Sequence, residues 1–173
     1  LDTTKVGKND YGQYEGFSYL DFLVTSDRQN PEAYFYVSGT LATSYNVYVV
    51  TIPANIKMES TDEAKSYKFD VDISYSNADG SKMLTYTFGK NFLSDSTRVD
   101  TIFVGTVTFP VAYRGLPSSD YDVYPYIHIK SSRSTLSRTE WATIDNRLRL
   151  GSIILRPVEY DDYLKALYNK PEE

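Results

Sequence analysis

Tyr67-Lys68-Phe69-Asp70-Val71-Asp72-Ile73-Ser74-Tyr75-Ser76 alternates without a break between bulky and polar residues. Tyr67, Phe69, Val71, Ile73 and Tyr75 fall on one side, and Lys68, Asp70, Asp72, Ser74 and Ser76 on the other. Successive side chains of a strand point to opposite faces, so this stretch reads as a strand with one face buried and one in water. Asn77-Ala78-Asp79-Gly80 follows, with residues that tolerate positive φ, and Met83 to Phe88 returns. The two runs form a β-hairpin.

The same rhythm extends outward from this hairpin. Tyr45 to Ile52 is apolar on both faces, as suits a central strand, and Pro53 ends it because proline has no N–H for the ladder. Val99 to Phe109 is a long strand with Gly105 in its middle, a place for a bend or bulge. Val123 to Ser131 opposes Val123, Ile127 and Ile129 to Tyr124, Tyr126, His128 and Lys130. Between Arg147 and Val158 the apolar phase slips, from Leu148 and Leu150 to Ile153 and Leu155, which predicts a β-bulge at Gly151-Ser152. Phe17 to Val24 and Glu32 to Thr40 bring the total to about eight strands.

Many strands joined by turns, with almost no helix between them, predict an all-β fold of two packed antiparallel sheets, a β-sandwich. The long strands and long connections fit a jelly roll better than an immunoglobulin fold. Residues 1–16 are polar, with glycines at 7, 12 and 16, and read as an N-terminal tether to a sandwich domain over 17–158. Over 159–173, Tyr160, Tyr163, Leu164, Leu167 and Tyr168 recur on one stripe of a C-terminal amphipathic α-helix. Asp161 and Asp162 near its start and Lys165 and Lys170 near its end suit the helix dipole. A helix this short is marginal alone, so its stripe is expected to dock on the sandwich or on a partner.

Composition narrows the function classes. The 173 residues include 17 Tyr, 8 Phe, 1 Trp, 1 His and no Cys, with a net charge of -5. An acidic chain argues against a nucleic-acid partner, whose phosphates are tracked by clustered Lys and Arg. Without Cys there is no disulfide, no Cys-ligated zinc and no thiol catalysis. No apolar run approaches the roughly 18 residues that span a bilayer. The chain opens on Leu1 and is expected to be a mature, exported form, with a signal peptide or acylated Cys upstream as its membrane anchor.

Catalytic chemistry finds little material. A Ser/His/Asp set could be drawn from His128 with Ser131 or Ser132, but these lie on a regular strand without the elbow that sharpens a nucleophile. Asp70 and Asp72 could serve glycoside hydrolysis or calcium binding, yet a solvated outer face explains them more simply. A structural calcium ion between loop carbonyls is compatible with a jelly roll but has no place in the sequence, and phosphate-cradling glycine motifs are absent. The expectation is a protein that is not an enzyme and carries no cofactor.

Aromatic residues give the stronger signal. Tyr124, Tyr126 and His128 share one parity, as do Tyr34 and Tyr36, and Trp141 stands in a later loop. Tyrosine joins an apolar ring to a polar tip, suited to stacking on sugar faces or to a protein interface. If the two strands share a sheet, these residues form a ligand-binding platform, unless the C-terminal helix or the tether covers it.

Two stretches carry a resemblance. Tyr45 to Ile56 (YNVYVVTIPANI) and Asn146 to Glu159 (NRLRLGSIILRPVE) resemble segments of exported Bacteroidetes surface lipoproteins of poorly characterised families. The run Ile153-Ile154-Leu155-Arg156-Pro157-Val158 is similar to the last strand of galactose-binding-like jelly rolls and carbohydrate-binding modules. The resemblance implies a cell-surface or outer-membrane location and that fold, and assigns no ligand contact. Two functions remain open: a non-catalytic surface binding or adhesion module with glycan as ligand, or a structural, pilin-like or accessory subunit of a surface complex with a protein partner.

Overall fold

A computed structural model describes residues 20–22, 30–53, 65–114, 124–132, 136–145 and 148–168. The tether over 1–16, Val123 and the outer parts of the first predicted strand lie outside them. The described residues form eight strands: β1 (Leu20–Phe22), β2 (Glu32–Tyr36), β3 (Ser44–Thr51), β4 (Lys68–Ser76), β5 (Met83–Leu93), β6 (Asp100–Thr108), β7 (Tyr126–Ser131) and β8 (Leu148–Pro157). One helix, α1 (Val158–Tyr168), follows β8 directly.

The strands form two four-stranded sheets, ordered β1-β8-β3-β6 and β2-β7-β4-β5. Every ladder is antiparallel, and β1 pairs with β8, β2 with β7, β3 with β6 and β4 with β5. This is one long hairpin folded over on itself, the path of a jelly roll. The expected sandwich is therefore present, with the topology anticipated from its long strands. Its innermost turn is the predicted one. Asn77 donates its N–H to Lys82 O (2.9 Å), Gly80 has φ 72°, and Asp79 accepts the Ser81 N–H (2.9 Å).

The alternation read from β4 holds from Tyr67 to Ile73, beyond which Ser74 and Ser76 are buried and Tyr75 is half-buried. Phe69, Val71 and Ile73 are fully buried, and they join Val47 and Val49 of β3 and Ile127 and Ile129 of β7 in one apolar cluster between the sheets. Removing each such side chain from water contributes about 1.5–3 kcal/mol. Both predicted irregularities are β-bulges. The β3–β8 register jumps from Val50↔Ser152 to Thr51↔Leu150, leaving Gly151 out of the pairing. The β3–β6 register jumps from Val47↔Gly105 to Tyr48↔Phe103, leaving out Val104.

Some boundaries differ from expectation. The strand β5 continues past Phe88 to Leu93, because its pairing with β4 accommodates register shifts on either side of Val71. Asn91 takes φ 62° and donates its N–H to Asp70 Oδ1 (2.8 Å). The strand β7 begins at Tyr126, since Pro125 before it has no N–H for the ladder.

The helix docks by a mechanism opposite to the one its stripe suggests. It lies against β3 and β8, but Tyr160, Tyr163, Leu167 and Tyr168 are exposed. Asp161 is its one buried residue, 1% exposed. The Asp161 carboxylate accepts hydrogen bonds from Tyr48 Oη (2.5 Å), Asn46 Nδ2 (2.7 Å) and Arg156 Nη1 (2.6 Å), and pairs with Lys165 Nζ at 3.1 Å. Thr106 Oγ1 donates to Asn46 Oδ1 (2.6 Å), which leaves the Asn46 amide hydrogens for the carboxylate. Arg156 also lies 5.3 Å from the centre of the Tyr48 ring. Asp161 is thus the pin of the helix rather than a residue serving the helix dipole alone.

The Tyr48 hydroxyl foremost, with Arg156, Asn46 and Lys165, holds the Asp161 carboxyl well below the usual carboxylate range against the opposing effect of burial. A lowered folded-state value means that this stabilisation is complete above the unfolded carboxyl's pKa of about 4 and fades as pH falls toward the folded value. Asp161→Ala should lose about 2–4 kcal/mol in urea unfolding, because it strands several polar partners. Asp161→Asn should show a shallower loss of stability than the wild type below about pH 4.

Gly105 has φ 150°, and a Cβ there would lie 2.7 Å from Phe88 Cδ1. Gly105→Ala is expected to lower stability by roughly 1–3 kcal/mol in thermal or urea unfolding, through backbone strain and the ring contact.

Candidate functional site: the outer face of β2, β7 and β4

Pairing of β2 with β7 places Tyr34 opposite His128 and Tyr36 opposite Tyr126. Pairing of β7 with β4 extends these rows to Asp72 and Ser74. Phe35, Ile127 and Ile73, one residue along each strand, turn inward to the core, so the alternate residues emerge on the outer face. The expected sharing of one sheet by these two strands is therefore met. The tyrosines are not covered by α1, which packs on the other sheet.

The aromatic groups touch. Tyr34 stacks on His128 with ring centres 4.4 Å apart and planes within 5°. Tyr126 meets Tyr34 and Tyr36 edge to face, at 5.8 Å and 5.9 Å. Tyr34 and Tyr36 are 53% and 50% exposed, whereas Tyr126 is half-buried between them. The result is a ridge of three phenol rings whose middle member is fixed by its neighbours. Rings held by cross-strand contacts lose little freedom when a ligand stacks on them.

His128 is less open than a residue on the solvent face of a strand would be, its side chain being 16% exposed. Nε2 lies 2.8 Å from Glu32 Oε2 and Nδ1 lies 3.3 Å from Asp72 Oδ2. Both ring nitrogens thus face carboxylates, and the Ser132 hydroxyl goes to Asp70 (3.1 Å), so the imidazole is arranged as a support for Tyr34. The simple reading of Asp70 and Asp72 as solvated residues is corrected on the same grounds. Asp72 braces His128, and Asp70 holds both Ser132 and the Asn91 backbone.

Two of the expected site residues lie apart from this ridge. Tyr124 precedes β7 at a bend; its hydroxyl donates to Arg114 O (3.0 Å) and its ring packs against the core. Parity placed it beside Tyr126, but that parity ends at Pro125. Trp141 is exposed on a short 3-10 turn, Glu140–Ala142, and the adjacent Glu140 bonds Lys68 Nζ at 2.6 Å. Lys68 stands one row beyond Asp70, away from the Tyr36 end, so Trp141 borders the far end of the sheet. The Lys68 bond, with Ser137, holds the Glu140 carboxyl down at about 2.

Glu32 is the functional residue that parity alone did not single out. It has the same parity as Tyr34 and Tyr36, but its role depends on the Tyr34↔His128 register. Burial first, then Glu32, Tyr126 and Asp72, pushes the Tyr34 phenol above its ordinary value.

A second concavity of about 570 Å³ opens between the sheets where β2 faces β8. Its walls include Phe35, Val37, Ile127, Ile153 and Leu155, and the bulge residues Gly151 and Ser152 lie at its margin. The serines and Tyr36 are its polar side chains, fewer than the convergent groups that orient a small polar ligand. Among the described residues, no cluster of three or more His, Asp or Glu could hold a metal ion, and no helix is long and apolar enough to cross a membrane. No family model, no curated protein and no solved structure matches the chain.

Because carboxylates help to raise the Tyr34 pKa, Glu32→Gln should move it down toward the tyrosine value of about 10. Alkaline titration followed by ultraviolet absorbance, with Tyr34→Phe identifying the Tyr34 step, will measure this shift. An unmoved Tyr34 step would place Glu32 outside its field.

Proposed function

We propose that this protein is an exported, non-catalytic binding or adhesion module of the cell surface, with glycan as its ligand class. The observation that carries the reading is the exposed Tyr34–Tyr126–Tyr36 ridge, backed by the Tyr34–His128 stack. Sugar rings present C–H faces that pack on aromatic rings, while their hydroxyls need nearby donors and acceptors. Tyrosine hydroxyls, Glu32 and Asp72 supply these along the same face, and Lys130 stands in the Glu32 row. A lipid anchor upstream of Leu1 would hold such a module at the outer membrane, consistent with the resemblance to surface lipoproteins.

The test is a glycan-array screen of the wild type and of Tyr34→Ala and Tyr126→Ala. Wild-type binding weakened about two- to ten-fold by either substitution is expected, since one lost aromatic contact is worth roughly 0.5–1.5 kcal/mol. Absence of wild-type binding, or equal binding by all three proteins, would overturn the reading.

A structural or assembly role has one specific observation in its favour. The exposed stripe of α1 carries Tyr160 and Tyr163 with ring centres 6.4 Å apart, together with Leu167 and Tyr168. Removing the whole helix would also remove Asp161, so that truncation would confound folding with association. The double substitution Tyr163→Ser and Leu167→Ser leaves the pin intact. Under the assembly reading it should abolish complex formation in sedimentation or cross-linking while unfolding remains unchanged; unchanged association would sink that role for the stripe.

A further inference from the structure

Resting on the glycan reading, we infer that the tyrosine face prefers glycans with free, protonated amino groups over neutral sugars, and excludes uronate-type sugars. The inference depends on what borders the ridge. Glu32 and Asp72 approach the two nitrogens of His128 from opposite sides, each through one oxygen, Oε2 and Oδ2. Among the described residues no hydrogen bond engages the second oxygen of either carboxylate, Oε1 of Glu32 or Oδ1 of Asp72. Their side chains are 44% and 30% exposed. Asp70 lies in the next row, opposite Lys130.

The charges on this face do not cancel. Lys68 is matched by Glu140, which leaves Glu32, Asp70 and Asp72 against Lys130 as the fixed charges around His128. The raised pKa of Tyr34 has Glu32 and Asp72 among its causes, so their negative field reaches the phenol on which a sugar would stack. Aromatic faces also attract cations, and the ridge offers the faces and edges of three phenols beside those carboxylates. An ammonium group on a stacked sugar meets both attractions. A sugar carboxylate would meet like charge, and the chain as a whole carries -5.

Isothermal titration at mildly acidic pH, about 5.5, where the sugar amines are protonated, will compare a β-1,4-linked glucosamine oligomer with its N-acetylated form and with an oligogalacturonate of equal length. The glucosamine oligomer should bind about five-fold or more tightly than the N-acetylated one, as befits an exposed ion pair. Added salt should narrow that ratio, and the galacturonate should not bind. Glu32→Gln and Asp72→Asn, each checked for an unchanged unfolding midpoint, should each reduce the ratio by weakening the glucosamine oligomer more than the N-acetylated one. If neither variant keeps its midpoint, the salt series on the wild type decides. Equal or stronger binding of the N-acetylated or anionic oligomer would overturn the amino-sugar preference and leave the glycan reading standing. Failure of all three to bind, together with a blank array, would overturn both.

Discussion

Burial of a single apolar layer between two sheets governs the rest of this domain. Val47 and Val49, Phe69, Val71 and Ile73, and Ile127 and Ile129 fill that layer from strands of both sheets. Because strand side chains alternate, committing these residues inward commits their neighbours outward. Tyr34, Tyr36, Tyr126 and His128 stand on the outer face for that reason. Slipping β7 by one residue would bury His128 and expose Ile127 and Ile129, so the core itself fixes the candidate site.

The bulges reconcile this layer with the long strands of a jelly roll. At Gly105 and at Gly151 one strand carries an extra residue, which bends the sheet and shifts its inward phase. Without the shift at Gly151, Leu150 and Ile153 could not both face inward. The carboxylates perform a comparable service on the outer faces. Asp70 holds the irregular Asn91 segment, Asp72 braces the imidazole beneath Tyr34, and Asp161 joins α1 to β3 and β8. Each is a charged group made tolerable by several donors or by a facing imidazole, as half-buried and buried charges require.

The two outer faces consequently have different chemistry. One sheet carries a helix pinned through polar contacts, and the Tyr160, Tyr163, Leu167 and Tyr168 part of its stripe is exposed while Leu164 is half-buried. The other exposes interlocked aromatic rings bordered by carboxylates. A stacking ligand finds rigid rings and directional acceptors on the second face, whereas the first offers apolar side chains on a short helix. That contrast is the basis of the two roles proposed above, glycan binding on the sheet and assembly through the helix.

Local patterning was sufficient for the presence of the strands, though not for all their ends, and for the Asn77–Gly80 turn, both glycine bulges and the two-sheet architecture. Period-two alternation and breaks in it are properties of a single strand, and so are legible along the chain. The tyrosine parity of β2 and β7 was equally legible. That Tyr34 would stack on His128, that Glu32 and Asp72 would flank the ring, and that Tyr124 and Trp141 would stand apart required the register of three strands distant in sequence. The helix stripe misled for a related reason. Amphipathicity shows which residues share a side of a helix, but only the tertiary structure decides which side meets the protein. Here four donors converging on Asp161 outweighed an apolar stripe, because a buried carboxylate must be satisfied while exposed tyrosines keep their hydroxyls in water.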